Sequence, residues 1–292
     1  MDFYSHKEIC LQSFSGYAVR GLFYNIVGSV DREYASLLHD SRMLAPFSVS
    51  PVCRVSGESG FHPCFDKLSR GLLRVNFTLL DGRLTDILMK FIQEGLGGGE
   101  FNIGKDKVTL HALSFQQISY ERLFKDSSDV RSFKVNFLTP TYFRQTPRDM
   151  LRRYGKRFDK SFTVSPYRFI PLPDPVLLFK SVARLWRKFS NINLDLQDFM
   201  RWLETGGVAV SGFPDGIRTY IVHEHPTTKK WSVGFTGTVY FSIVKDIYSP
   251  EKAKIVDTLL KFAEYTNVGG GRTAGLGLIK YSVKNEDVSS FK

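Results

Sequence analysis

Along the second half of the chain, apolar residues recur with two separable periods. Phe133, Val135 and Phe137 alternate with polar neighbours across Arg131–Leu138, the period of a strand with one buried face. A helix is predicted next. Asp174 offers an acceptor to the free N–H groups of a first turn, Pro175 suits the first helical position, and Val176, Phe179, Val182, Ala183 and Trp186 then share a face. A shorter helix over 195–204 stops at Gly206. Two strands, Ile217–His223 and Trp231–Val244, bracket a polar turn, and the second sets Trp231, Val233, Phe235, Val239, Phe241 and Ile243 on one side. Ser249 and Pro250 open another helix carrying Ile255, Leu259 and Phe262, and beyond a glycine run Leu276–Val283 reads as a final strand. The order is βαββαβ.

The first half repeats this layout. Helical pattern covers Tyr17–Val27 and Asp31–His39, and strands are predicted near Phe47–Val55 and Gly71–Leu80. A helix over Arg83–Glu94 lines up Leu84, Ile87, Leu88 and Phe91 and ends at Gly95, before a closing strand over Lys107–Phe115. Lys7–Ser13, with Ile9 and Leu11, is the stretch left for the first strand. Lys90 and Phe91 lead to Gly97–Gly99, and Lys261 and Phe262 lead to Gly269–Gly271, so helix, triple glycine and strand occur twice. The expected fold class is α+β, with two tandem ferredoxin-like (RRM-like) domains over 1–128 and 129–292, joined near Lys125–Asp129. A length of 292 residues suits two cores better than one.

Charge narrows the partner. Lys and Arg number 40 against 29 Asp and Glu, and a formal charge of +11 favours a polyanion, nucleic acid ahead of an anionic membrane surface. No apolar stretch approaches the ~20 residues of a bilayer span, and the N-terminus lacks a basic segment followed by an apolar one, so a soluble cytoplasmic protein is expected. Cys10, Cys53 and Cys64 lack C-x-x-C spacing, and His223 and His225 find no complement in Cys53, His62 and Cys64, so no metal or other cofactor is expected. His6, His62 and His111 read as surface or packing residues. Between 144 and 160 stand seven basic residues, Arg144, Arg148, Arg152, Arg153, Lys156, Arg157 and Lys160, against Asp149 and Asp159. With Tyr142, Phe143, Tyr154 and Phe158 interleaved, this segment could hold phosphates and stack bases, or be a solvated basic loop.

The segment Val268–Gly277 resembles a dinucleotide fingerprint only in composition. Such fingerprints follow a strand and open a helix, whereas here a helix ends and a strand begins. Two readings stay open: Gly269, Gly270, Gly271, Gly275 and Gly277 supply positive φ and close approach, or their backbone N–H groups and Arg272 hold an RNA phosphate.

The run Gly269–Gly277 entering Leu278, Ile279 and Lys280, with Gly234–Ile243 before it, resembles the C-terminal domain of the CRISPR repeat-processing endoribonucleases. Arg20–Ile26, Leu37–Asp40 and Phe47–Pro51 are similar to the stretch in that family where a helix ends in the catalytic histidine. The resemblance implies tandem ferredoxin-like folds, CRISPR repeat RNA as partner, and metal-independent cleavage leaving a 2′,3′-cyclic phosphate and a 5′-hydroxyl. A CRISPR effector complex and a second copy of the chain are the further partners it admits. It assigns His39 as the catalytic histidine, and a helix C-terminus suits a proton donor to the leaving 5′-oxygen. Tyr24 would orient the 2′-hydroxyl. Many members place a lysine before the strand at Phe47; this chain has Met43, Leu44, Ala45 and Pro46 there, and Arg42 is the nearest cation. Arg20, Lys280, the basic segment and the glycine run would contact RNA. Two other functions compete: a non-cleaving RNA-binding subunit of the same fold, and a membrane-surface or protein-interaction module, which uses the net charge alone.

Overall fold

The computed structural model describes residues 1–40, 43–54, 62–95, 100–146, 168–224 and 231–283. Arg42, Gly97–Gly99, Arg148, Arg152, Arg153, Lys156, Arg157, Lys160 and His225 lie outside the described residues. The chain divides into two compact units. The first comprises Met1–Gln117 together with Tyr265–Asn267 and Gly271–Leu276; the second comprises Ile118–Glu264, Val268–Gly270 and Gly277–Lys292.

The first unit runs β1 (Asp2–Ser5), α1 (Ser15–Val30), α2 (Arg32–Leu38), β2 (Phe47–Val49), β3 (Cys53–Arg54), β4 (Gly71–Arg74), β5 (Phe77–Leu79), α3 (Gly82–Gly95), β6 (Glu100–Ile103) and β7 (Asp106–Ala112). Its main sheet is ordered β3-β4-β1-β7-β6, with the two-residue strand His62–Pro63 paired outside β3, and is antiparallel throughout, so β1 sits between β4 and β7 as a split β-α-β fold requires. Phe3 on β1, Val19, Leu22, Phe23 and Ile26 on α1, and Leu84, Ile87 and Leu88 on α3 fill the core.

Three sequence expectations are corrected in this unit, one of them the strand over Gly71–Leu80, which breaks after Arg74 into β4 and β5 with different partners. The first strand is Asp2–Ser5 rather than Lys7–Ser13, where only Ile9–Cys10 forms a short ladder with Lys67–Leu68. Four residues with Phe3 as the one large inward side chain give too little alternation to read, yet pairing on both edges makes this the central strand. The strand expected over Phe47–Val55 is split. Pro51 carries no N–H for a ladder, and the pieces on either side pair with different partners, β2 with β5 and β3 with β4.

The second unit runs α4 (Tyr120–Lys125), β8 (Ser132–Thr141), α5 (Pro175–Phe189), α6 (Leu196–Glu204), β9 (Val208–Gly212), β10 (Ile217–Glu224), β11 (Trp231–Ile243), α7 (Pro250–Thr266) and β12 (Ile279–Val283). The sheet order β9-β11-β8-β12, with β10 also on β11, repeats the arrangement of the first unit. Both helix starts act as the sequence implies: Asp174 accepts from the Leu177 N–H at 2.9 Å and Asp195 from the Asp198 N–H at 3.0 Å, each worth about 1 kcal/mol. Phe133, Val135 and Phe137 are buried, and Phe133 stacks on its register partner Phe241 at 5.3 Å. The long β11 pairs with β9 at its C-terminal end and with β10 at its N-terminal end.

Gly277 has φ of +73°, and a Cβ there would stand 1.8 Å from the Val268 carbonyl oxygen. Gly277→Val therefore combines left-handed strain with a backbone clash, and is expected to lower unfolding free energy by more than about 2 kcal/mol in a urea titration. An unchanged midpoint would refute the conformational role.

Candidate active site

Helix α1 buries Val19, Leu22, Phe23, Ile26 and Val27 on one flank and sets Tyr17, Arg20 and Tyr24 at i, i+3 and i+7 on another. The Arg20 guanidinium lies 5.3 Å from the centre of the Tyr17 ring, a cation–π contact. Tyr24 is half-buried, and its ring stacks on the exposed His39 imidazole with centroids 3.8 Å apart and planes 20° from parallel. The phenol hydroxyl donates to the Leu38 carbonyl at 3.3 Å. Beneath Tyr24, Phe47 meets its ring edge-on at 5.8 Å and stacks on Phe23 at 4.2 Å.

His39 is the residue that ends α2, and its backbone N–H reaches the Ser36 carbonyl at 3.1 Å. The opposite end of α2 is anchored. The Asp31 carboxylate accepts from the Tyr34 N–H at 2.9 Å and pairs with Arg83 at 2.8 Å, while the Tyr34 hydroxyl donates to Asp81 at 2.9 Å. The Tyr34 N–H and then Arg83 hold the Asp31 carboxyl below its usual range.

Burial pushes the Tyr24 phenol above its ordinary value, and the nearby Arg20 charge opposes this less strongly. A phenol so shifted stays neutral at ordinary pH, so Tyr24 can orient a hydroxyl or an imidazole but is not a base. Among the described residues no group of three or more His, Cys, Asp or Glu side chains could hold a metal ion.

The glycine run differs from one of its two readings. Gly269, Gly271, Gly275 and Gly277 all take positive φ, but the backbone donors turn inward: Gly269 N–H to Ser181 Oγ at 3.1 Å, Gly270 N–H to the Tyr142 carbonyl at 2.9 Å, and Gly277 N–H to the Pro140 carbonyl at 3.2 Å. The N–H groups of Ala274, Gly275 and Leu276 bond within the run itself. Arg272 is the sharper correction. It is 8% exposed, and its guanidinium donates to the carbonyls of Phe47, Thr266 and Ala45, so it is not presented to a phosphate. Proximity to glycine suggested an anion site; satisfying backbone carbonyls is what the side chain does.

The remaining expected contacts separate. Arg20 joins Tyr24 and His39 in the first unit, whereas Arg144 and Lys280 belong to the second. Arg144 is exposed, 6.0 Å from the Phe169 ring centre, and Lys280 pairs with Glu264 at 3.2 Å with most of its side chain in solvent. Tyr17 and Phe47 are the site neighbours that sequence reading passed over. The i, i+3, i+7 spacing with Arg20 and Tyr24 was the available signal for Tyr17; Phe47 opens the Phe47–Pro51 stretch of the resemblance, but no spacing ties it to Tyr24.

No helix among the described residues is long and apolar enough to cross a membrane. Residues 135–279 match the family model of the CRISPR-associated endoribonuclease Cas6. No curated protein sequence is a significant match. Among solved structures, a Cas6 product complex superposes with a TM-score of 0.69 at 20% identity, covering 97% of this chain and 100% of that one. A second Cas6 product complex gives 0.63 at 21% identity, with coverage of 97% and 100%. A Thermus thermophilus Cas6 gives 0.57 at 22%, covering 97% and 98%. At these identities the structures establish the fold, the mixed α+β pair of antiparallel-sheet units described above. The family match adds the rest: this chain belongs to the Cas6 family of CRISPR-associated endoribonucleases, which process CRISPR RNA.

Proposed function

We propose that the chain cuts CRISPR repeat precursor RNA by attack of the 2′-hydroxyl on the adjacent phosphate, without a metal ion, with His39 giving a proton to the departing 5′-oxygen. The supporting observation is the Tyr24–His39 stack at 3.8 Å, with Arg20 on the same flank of α1. RNA carries its own nucleophile, so the protein must supply a proton donor, an orienting group and positive charge near the phosphate. His39, Tyr24 and Arg20 have those chemistries. Tyr24 holds the imidazole by its face, and its oxygen keeps acceptor capacity for the 2′-hydroxyl. The Cas6 relatives in product and substrate-mimic complexes fit a site that engages RNA on both sides of the reaction. We assign phosphate and base contacts to the basic segment with Arg144, Arg148, Arg152, Arg153, Lys156 and Arg157, and Arg42 remains a candidate for the phosphate charge.

The direct test is incubation of the purified chain with repeat RNA in excess EDTA, followed by mass spectrometry of the products. A fragment ending in 2′,3′-cyclic phosphate is expected. Intact RNA that is nonetheless shifted on a gel would identify a non-cleaving RNA-binding subunit instead. Tyr24 gives a finer prediction: Tyr24→Leu should slow cleavage by roughly tenfold through loss of an aromatic pair, and Tyr24→Phe, which keeps the ring, by less. Equal losses in single-turnover assays would assign the effect to the hydroxyl rather than the stack.

A further inference from the structure

We propose that Arg272 is a positioning residue for cleavage: it holds the open edge of β2 and thereby sets the Tyr24–His39 stack, without touching RNA. The inference rests on the role proposed for His39.

Among the described residues strand β2 forms a ladder on one edge, with β5, through Phe47↔Leu79, Ser48↔Thr78 and Val49↔Phe77. On its other edge lie the carbonyls of Phe47 and Val49, two apart on the strand, and that of Ala45 just before it. Residues from the end of the chain take a neighbouring strand's place there. Arg272 Nη1 donates to the Phe47 carbonyl at 3.0 Å, and Nη2 donates to the Ala45 carbonyl. Asn267 Nδ2 donates to the Val49 carbonyl at 3.0 Å, and Ser48 Oγ donates to the Tyr265 carbonyl at 2.9 Å. Asn267 has φ of +57°, a left-handed conformation that asparagine tolerates better than most residues. Its amide also bonds the Arg272 carbonyl at 3.2 Å, tying the two donors together.

The arrangement explains why a charge is buried here. A buried carbonyl without a donor is costly, and a planar guanidinium can serve several carbonyls at once, which an apolar side chain of equal volume cannot. Close packing locates the loop. A Cβ on Gly16 in α1 would lie 2.0 Å from the Ala274 carbonyl oxygen, and one on Gly275 would lie 2.8 Å from the Pro51 nitrogen. Residues 271–276 are thus seated against α1 and the chain just after β2, inside the first unit.

From β2 the effect reaches the site through three ring contacts. Phe47, whose carbonyl Arg272 holds, stacks on Phe23 at 4.2 Å and meets Tyr24 at 5.8 Å, and Tyr24 faces His39 at 3.8 Å. The Met43 N–H also bonds the Asp40 carbonyl at 3.0 Å, which ties the residue after His39 to the stretch that Arg272 secures. Displacement of that stretch moves the rings that orient the imidazole.

The test uses the full chain and two readouts. One is single-turnover cleavage at saturating repeat RNA; the other is the NMR signal of the His39 Hε1 proton, assigned with His39→Gln, which the Tyr24 ring current displaces. For Arg272→Met the His39 signal should move toward its unstacked position and the rate should fall about 10²-fold, the usual cost of a misplacement near 1 Å. RNA affinity and its salt dependence should not change. Arg272→Lys, which keeps a cationic donor, should recover part of the rate, and Asn267→Gly, which keeps the left-handed backbone, should change both readouts in the same direction but less. If Arg272→Met fails to fold, the Lys and Gly variants decide. A loss confined to affinity and salt slope, with the His39 signal unmoved, would make Arg272 a phosphate contact and overturn the proposal, as would unchanged rates. Full activity of His39→Ala would refute the role proposed for His39 separately, while the His39 signal would still report whether Arg272 sets the stack.

Discussion

A repeat RNA with 2′-deoxyribose immediately 5′ of the scissile phosphate is expected to bind normally and remain uncut. Binding depends mainly on phosphates and bases, which the substitution leaves in place. Cleavage depends on a nucleophile already attached to the substrate, and intramolecular groups in good orientation act at effective concentrations of about 10⁵–10⁸ M. Removing that oxygen should therefore cost at least about 10⁵-fold, below detection in an ordinary time course. A gel shift run beside the cleavage assay separates the two effects. If the deoxy RNA is cut, water must be the nucleophile, and the roles proposed for His39 and Tyr24 both fall.

His39→Ala carries the second large effect, a fall in single-turnover rate of roughly 10²–10⁴-fold, the usual worth of one positioned acid or base. Folding is not expected to confound it. His39 is exposed, its backbone has φ of −76° and ψ of −15°, which alanine adopts freely, and the helix before it is held at its far end by Asp31, Arg83 and Asp81. The melting temperature and RNA affinity should therefore stay near those of the parent chain. Retention of full activity would move the acid elsewhere. Arg20 and Tyr24, which share the face of α1 beside it, would then be the next substitutions.

The local features of this protein were determined by its sequence. Period-two alternation at Phe133, Val135 and Phe137 identified a strand because successive side chains of a strand face opposite ways, whatever the rest of the chain does. Asp174 and Pro175 located a helix start because a cap is satisfied within three residues. The succession of elements in each half then implied the βαββαβ topology, and the descent from α1 to His39 implied a histidine at a helix end.

Tertiary structure decided what depends on distant partners. Asp2–Ser5 became the central strand because it pairs on both edges, which four residues with a single large apolar side chain cannot announce. Val208–Gly212 became a strand through β11, despite a weak pattern of its own. Tyr24 and His39 were both legible as candidates, but only folding laid one ring on the other. Arg272 is the clearest case. Its neighbours in sequence are glycines, which suggested a phosphate, whereas the carbonyl it serves on Phe47 lies 225 residues away. A polar side chain's role follows from the partners that burial brings to it, and a buried carbonyl's need for a donor appears only once the chain has folded.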